Sequence, residues 1–153
     1  MFAAVAAAAL LLTGCVRGDA AAVVDGRTIS QSGLQAAVQQ IQEASGQAPH
    51  PSQILNSLII GPTVEGILAD RGAAISDAAA RSNLATLPNP EPYIVELMKV
   101  NMGVQSLTNE EREEAIARIQ ELDVEVSPRY GTFDPAQGQI LPESPNWLAD
   151  PTQ

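Results

Sequence analysis

One short segment near the C-terminal end restricts this fold more than any other feature. Residues 124–127 read "VEVS", two valines alternating with polar residues, which is the period of a half-buried strand. From about residue 30 up to that point the pattern is helical. A lone strand leaves its backbone N–H and C=O groups unpaired, so it needs a partner elsewhere in the chain. The stretch "AAAVV", residues 20–24, offers that partner. Both segments are short and valine-rich, and neither is stable alone. Together they are expected to form a small two-stranded ribbon, near 21–24 and 123–127, resting on helices. The expected fold class is mainly α, with about five helices.

The first strand is tightly punctuated. Asp25-Gly26 is a two-residue turn signal, because both positions accept positive φ. Ser30 is a good N-cap, with Ile29 and Leu34 placed to staple over it. Leu34, Ala37, Val38 and Ile41 then follow helical spacing. "SGQAPHP", residues 45–51, stops this helix. A second helix from about Ser52 carries Ile54, Leu55, Leu58 and Ile59. Gly61-Pro62 is expected to kink or break it, since proline lacks a donor and clashes with the preceding turn. The pattern resumes with Val64, Ile67 and Leu68, and Gly72 closes it. Ser76 caps a third helix. "LPNPEP", residues 87–92, reads as a rigid linker. A fourth helix holds Ile94, Leu97, Met98 and Met102. A fifth opens on a capping box, Thr108 with Glu111, and presents Ala115, Ile116, Ile119 and Leu122. Glu110, Glu111, Glu113 and Glu114 favour the positive end of its dipole and read as a solvated face.

Composition bounds the function. The chain has 153 residues, with 8 Lys+Arg against 18 Asp+Glu, a formal net charge of −10. Nucleic-acid binding is disfavoured, because neutralising phosphates needs a basic face. An acidic surface also repels anionic lipid headgroups. Any membrane association must come from elsewhere. Residues 2–12, "FAAVAAAALLL", supply a candidate: an apolar run too short to span a bilayer and suited to a signal-peptide core. It ends in "LTGC", Leu12 to Cys15, which resembles the bacterial lipobox. That resemblance implies cleavage between Gly14 and Cys15 and a thioether diacylglycerol on Cys15. Cys15 is the only cysteine, so no intrachain disulfide competes for it. "MFAAV" lacks the positive charge of a signal-peptide start, which leaves open a start upstream of Met1. The segments expected are a signal peptide 1–14, a lipidated tether 15–19, a helical domain 20–135 and an irregular tail 136–153. The Arg-Gly-Asp within the tether resembles an integrin-binding tripeptide and is read as chance.

The order of elements carries a second resemblance. "AAAVVDGRTIS", then a helix, then "QILNSLIIGPTVEGILADRGAAISDA", is similar to the N-terminal domain of SurA/PrsA-type extracytoplasmic chaperones. "GAAISD", residues 72–77, matches the junction leading into that family's next helix. "VEVSPRYGTFDP" is similar to its returning segment. The departures are Asp25 for Asn, Ser127 for Asn and Phe133 for Trp, together with the Gly61-Pro62 interruption. The resemblance implies that the returning strand pairs beside the first. It also implies a function: binding unfolded or newly exported polypeptides at the extracytoplasmic face of a bacterial membrane.

The parvulin prolyl-isomerase domain found inserted in the foldase members has no counterpart here. Its catalytic set cannot be assembled, because His50 is the only histidine. Phosphate-loop, HExxH and EF-hand patterns are missing from the sequence. The expectation is therefore a binding protein rather than an enzyme, with no catalytic residues, cofactor or metal. His50, between two prolines, reads as an exposed loop residue. Leu97, Met98 and Met102 are the candidate peptide-binding residues, because methionine suits a surface that adapts to varied side chains. The ordinary alternative for them is helix core. Tyr130 and Phe133 are expected to pack the closing segment onto the helices, and Trp147-Leu148 to dock on the domain. A lipid-anchored adaptor for one specific envelope protein is the competing function, and sequence does not separate it from a chaperone.

Overall fold

The computed structural model describes residues 17–142. Cys15, Gly14 and Trp147-Leu148 lie outside them. Among the described residues the fold is mainly α, with five α-helices and two small antiparallel sheets.

The two ends meet as the alternation requires. Strand β1, Ala20–Val24, pairs antiparallel with β3, Val124–Val126, setting Ala22 opposite Val126 and Val24 opposite Val124. The ribbon gains a third strand that was too short, between the turn and the helix cap, to show its alternation. Arg27–Ser30 forms β2 on the other side of β1. Asp25 and Gly26 make the turn between β1 and β2 with φ of 48° and 81°, the doubly left-handed conformation of a tight hairpin. Asp25 also locks the sheet. Its N–H donates to Asp123 O at 2.9 Å, and its carboxylate accepts from Asp123 N at 3.0 Å.

Helix α1, Gln31–Ser45, starts as expected: Ser30 Oγ accepts from Gly33 N. Ile29 and Leu34, the two staple residues, are fully buried. Tyr93 OH accepts the Ser30 N–H at 2.9 Å and so supplies an edge strand with a partner. The stretch expected as tether contributes to the fold as well. Arg17–Asp19 is a 3₁₀ turn. The Asp19 carboxylate accepts from Ser32 N and Ser32 Oγ at 3.1 and 2.6 Å, which occupies the acid of the Arg-Gly-Asp tripeptide.

Helix α2, Pro51–Asp70, is the spine of the molecule. It runs through Pro62 without a break. Proline disfavours a helical conformation in the residue before it by clashing with that residue's N–H and Cβ, and Gly61 lacks the Cβ. Pro62 itself is exposed while Gly61 is buried against helix α4, Pro92–Ser106. A Cβ at Gly61 would lie 2.8 Å from Val100 Cγ2. The glycine thus serves both the proline and the close helix contact. Packing on both sides then holds α2 together through a local defect.

Two apolar clusters share α2. One joins its N-terminal half, with Ile54, Leu55, Leu58 and Ile59, to the sheet, α1 and Phe133. The other joins Val64, Ile67 and Leu68 to Leu107 and Ala115. Ala115 belongs to helix α5, Asn109–Gln120, which begins with the expected reciprocal capping box between Thr108 and Glu111. Ile116, expected on its inner face, is instead 57% exposed. The buried stripe of α5 passes through Ala115 and Ile119, and Ile116 lies a full 100° round from Ala115. The acidic run is only partly a free face: Glu111 also pairs with Arg71, and Glu114 with Arg118.

The C-terminal stretch is not irregular throughout. Thr132–Asp134 forms β4 and pairs antiparallel with β5, Gln139–Leu141, which lies beyond the expected domain end. Asn56 of α2 holds this hairpin, donating to Gly138 O at 3.2 Å and accepting from Ile140 N at 3.1 Å. Phe133 and Tyr130 pack on the first cluster as expected. Among the described residues no helix is long and apolar enough to cross a membrane.

Candidate functional site

An open cavity lies between the C-terminal half of α1 and the connection into α4. Its volume is about 560 Å³, in the range of small-ligand and side-chain pockets. Ile41 and Ala44 form one wall, Leu84, Leu87 and Pro88 the other, and Ile94 lines it from α4; Gln40, Glu43, Ser45 and Thr86 complete the lining. The gap has a local cause. Helix α3, Asp77–Asn83, spans only two turns, so a run of turns and bends rather than a helix faces α1. Ala44 is too small to fill the space.

The far wall is fixed despite being a loop. Leu87 N donates to Leu84 O at 2.8 Å. Gln40 clamps the residues after it in the loop: its amide donates to Asn89 O at 3.2 Å and accepts from Glu91 N at 2.8 Å. Three prolines, at 88, 90 and 92, restrict the same stretch. The groove is thus built in advance and does not depend on a ligand to shape it.

The three residues singled out from sequence do not share one face. Leu97 packs against the first core cluster and lines a second, smaller groove of about 330 Å³, with Ile60, Val100 and Val104. Met98 is half-buried. At 100° per residue it lies about 40° round α4 from Ile94, on the side away from Asn101, and it lines neither of the two grooves. Met102 lies one turn further on the Met98 side, its sulfur accepting from Asn83 Nδ2 of α3 at 3.6 Å. The one-turn spacing of Met98 and Met102 had grouped Leu97 with them, whereas Leu97 lies about 100° round the helix on the face toward α2. The larger groove was missed because its walls come from residues 40–45 and 84–94, distant in the sequence. Each wall alone reads as an ordinary helix face or linker.

The main charged cluster serves the helix packing. Lys99 reaches Glu65 of α2 at 3.2 Å and Asp77 of α3 at 3.3 Å. Burial works against its charged form, but the bonds and charges of Glu65 and Asp77 outweigh this and raise its pKa. His50 is exposed and precedes the first turn of α2 without a side-chain cap bond. Among the described residues no three His, Cys, Asp or Glu side chains converge as a metal site would require. Comparison with protein families, curated proteins and solved structures found no match to the chain.

Proposed function

We propose that this chain is a lipid-anchored extracytoplasmic binding protein for unfolded or newly exported polypeptides, without catalytic activity of its own. The observation that carries the reading is the preformed apolar groove between α1 and the 84–94 segment. Its walls offer aliphatic contacts without a convergent set of polar groups, which suits varied apolar side chains better than one defined small molecule. The pairing of residues 20–24 with 124–126 fits the closing segment of the SurA/PrsA-type domain that the sequence resembles. Anchoring rests on "LLLTGC" and the single cysteine. Attachment through Cys15 would hold the groove close to the membrane, where exported chains emerge unfolded.

The test uses Ala44→Trp. Ala44 is exposed near the end of α1, so the indole fills the groove without entering the core. The wild-type protein is expected to delay aggregation of several unrelated unfolded clients without ATP, and Ala44→Trp to lose that effect while unfolding at the same temperature. Photo-crosslinking from Thr86 in membranes should capture many exported chains. Capture of one stoichiometric partner, with no suppression of aggregation, would replace the chaperone by the adaptor.

A further inference from the structure

The groove lies in a part of the chain that is unusually poor in cations. No Lys or Arg occurs between Arg27 and Arg71, or between Arg81 and Lys99. Both walls fall wholly within those two gaps. Two carboxylates stand at this end of the molecule. Glu43 lines the groove, and Glu91 opens α4 just beyond Pro88. Four of the described cations form ion pairs elsewhere: Arg27 with Glu96, Arg71 with Glu111, Lys99 with Glu65 and Asp77, and Arg118 with Asp70 and Glu114. Arg112 donates to the backbone of Val104 and Leu107, and Arg81 lines a separate acidic pocket with Glu65, Asp77 and Glu96. Among the described residues neither Glu43 nor Glu91 has an ion pair. Glu43 receives only a hydrogen bond from Gln39 Nε2, at 2.9 Å. An aliphatic groove with unneutralised carboxylates at its edge is complementary to an apolar segment bearing positive charge.

We infer that the groove selects extended polypeptide segments in which aliphatic side chains are flanked by Lys or Arg, with Glu43 as the specificity-determining residue. The inference rests on the polypeptide-binding reading above and adds a preference to it. The aliphatic side chains enter between Ile41, Leu84, Leu87 and Ile94. The flanking cation stays at the solvent edge beside Glu43, so it keeps most of its hydration. Partly exposed pairing of this kind favours the cationic segment by only about three-fold and weakens with salt. A segment with acids at the same positions meets like charge and is disfavoured.

The experiment uses the purified full chain and two synthetic peptides of about nine residues, long enough to span the groove in extended form. Both alternate leucine with polar residues; one carries two lysines where the other carries two glutamines. Binding is followed by fluorescence anisotropy at low salt and again at about 0.5 M salt. The expected result is roughly three-fold tighter binding of the lysine peptide at low salt, converging at high salt. Glu43→Gln should remove that preference. Glu110→Gln, which removes the same charge from α5, should leave it. Equal binding of both peptides to the wild type, blocked for both by Ala44→Trp, overturns the charge preference and leaves the groove as a peptide site. A lysine preference that responds alike to both glutamate variants assigns it to the overall negative charge and also overturns the inference. Binding of neither peptide overturns the preference and the polypeptide-binding reading together.

Discussion

Gly131 should be the least replaceable glycine of the described chain. Its φ is +112°, outside even the left-handed region that other residues sometimes adopt. A Cβ there would lie 2.1 Å from the carbonyl oxygen of Leu141, the residue paired with Thr132. Gly131→Ala therefore cannot be accommodated while the β4–β5 hairpin stays in place. Backbone strain alone costs about 1–3 kcal/mol. If β5 yields instead, the two hydrogen bonds between Asn56 and the hairpin are lost, at roughly 1 kcal/mol each. The half-buried Ile140 loses its contact with the first cluster as well, worth about 1 kcal/mol more. The loss is therefore about 1–3 kcal/mol by the first route and about 3 kcal/mol by the second. Gly46→Ala isolates the conformational part, because Gly46 has φ of +74° and nothing within 4 Å of a Cβ. It should cost about 1 kcal/mol. Urea unfolding followed by circular dichroism measures both. The steric account fails if Gly131→Ala proves no more damaging than Gly46→Ala.

Tyr93→Phe should cost about 1 kcal/mol in the same assay, because the part-buried Ser30 N–H loses its acceptor; an unchanged midpoint would mean that water replaces the hydroxyl freely. Lys99 makes a pH prediction. Its folded pKa is raised above the ordinary 10.5, so its contribution to stability is complete below that value. It is lost as pH rises through the folded value. Thermal unfolding of wild type and Lys99→Met should therefore differ at neutral pH and converge above about pH 10.5; a constant gap would refute the linkage. Cys15→Ser should move the protein out of the detergent-extracted membrane fraction, or leave it uncleaved. A variant that fractionates and migrates like wild type would disprove lipidation.

The local features were legible in the sequence because each is decided within a few residues. Ser30, Ser76 and Thr108 cap helices through bonds that span three positions. Asp25-Gly26 turns the chain because both residues tolerate positive φ. The return of the C-terminal strand was also legible, though it spans a hundred residues, because an isolated strand has only one kind of remedy. The failures share a different cause. Gly61-Pro62 carries a breaking signal, yet the helix continues because α4 packs on Gly61 and both halves of α2 are buried. β2 was hidden because four residues between a turn and a helix cap show too little alternation to read. β5 is short and proline-flanked, and Asn56 of α2, eighty-four residues away, gives it a place. The groove is furthest from the sequence, since it is made of what α1 and the 84–94 segment leave unfilled. A cavity has no residue of its own. Its position depends on how Gln40 holds Glu91 and how short α3 is, and such long-range placements exist only once the whole chain has packed.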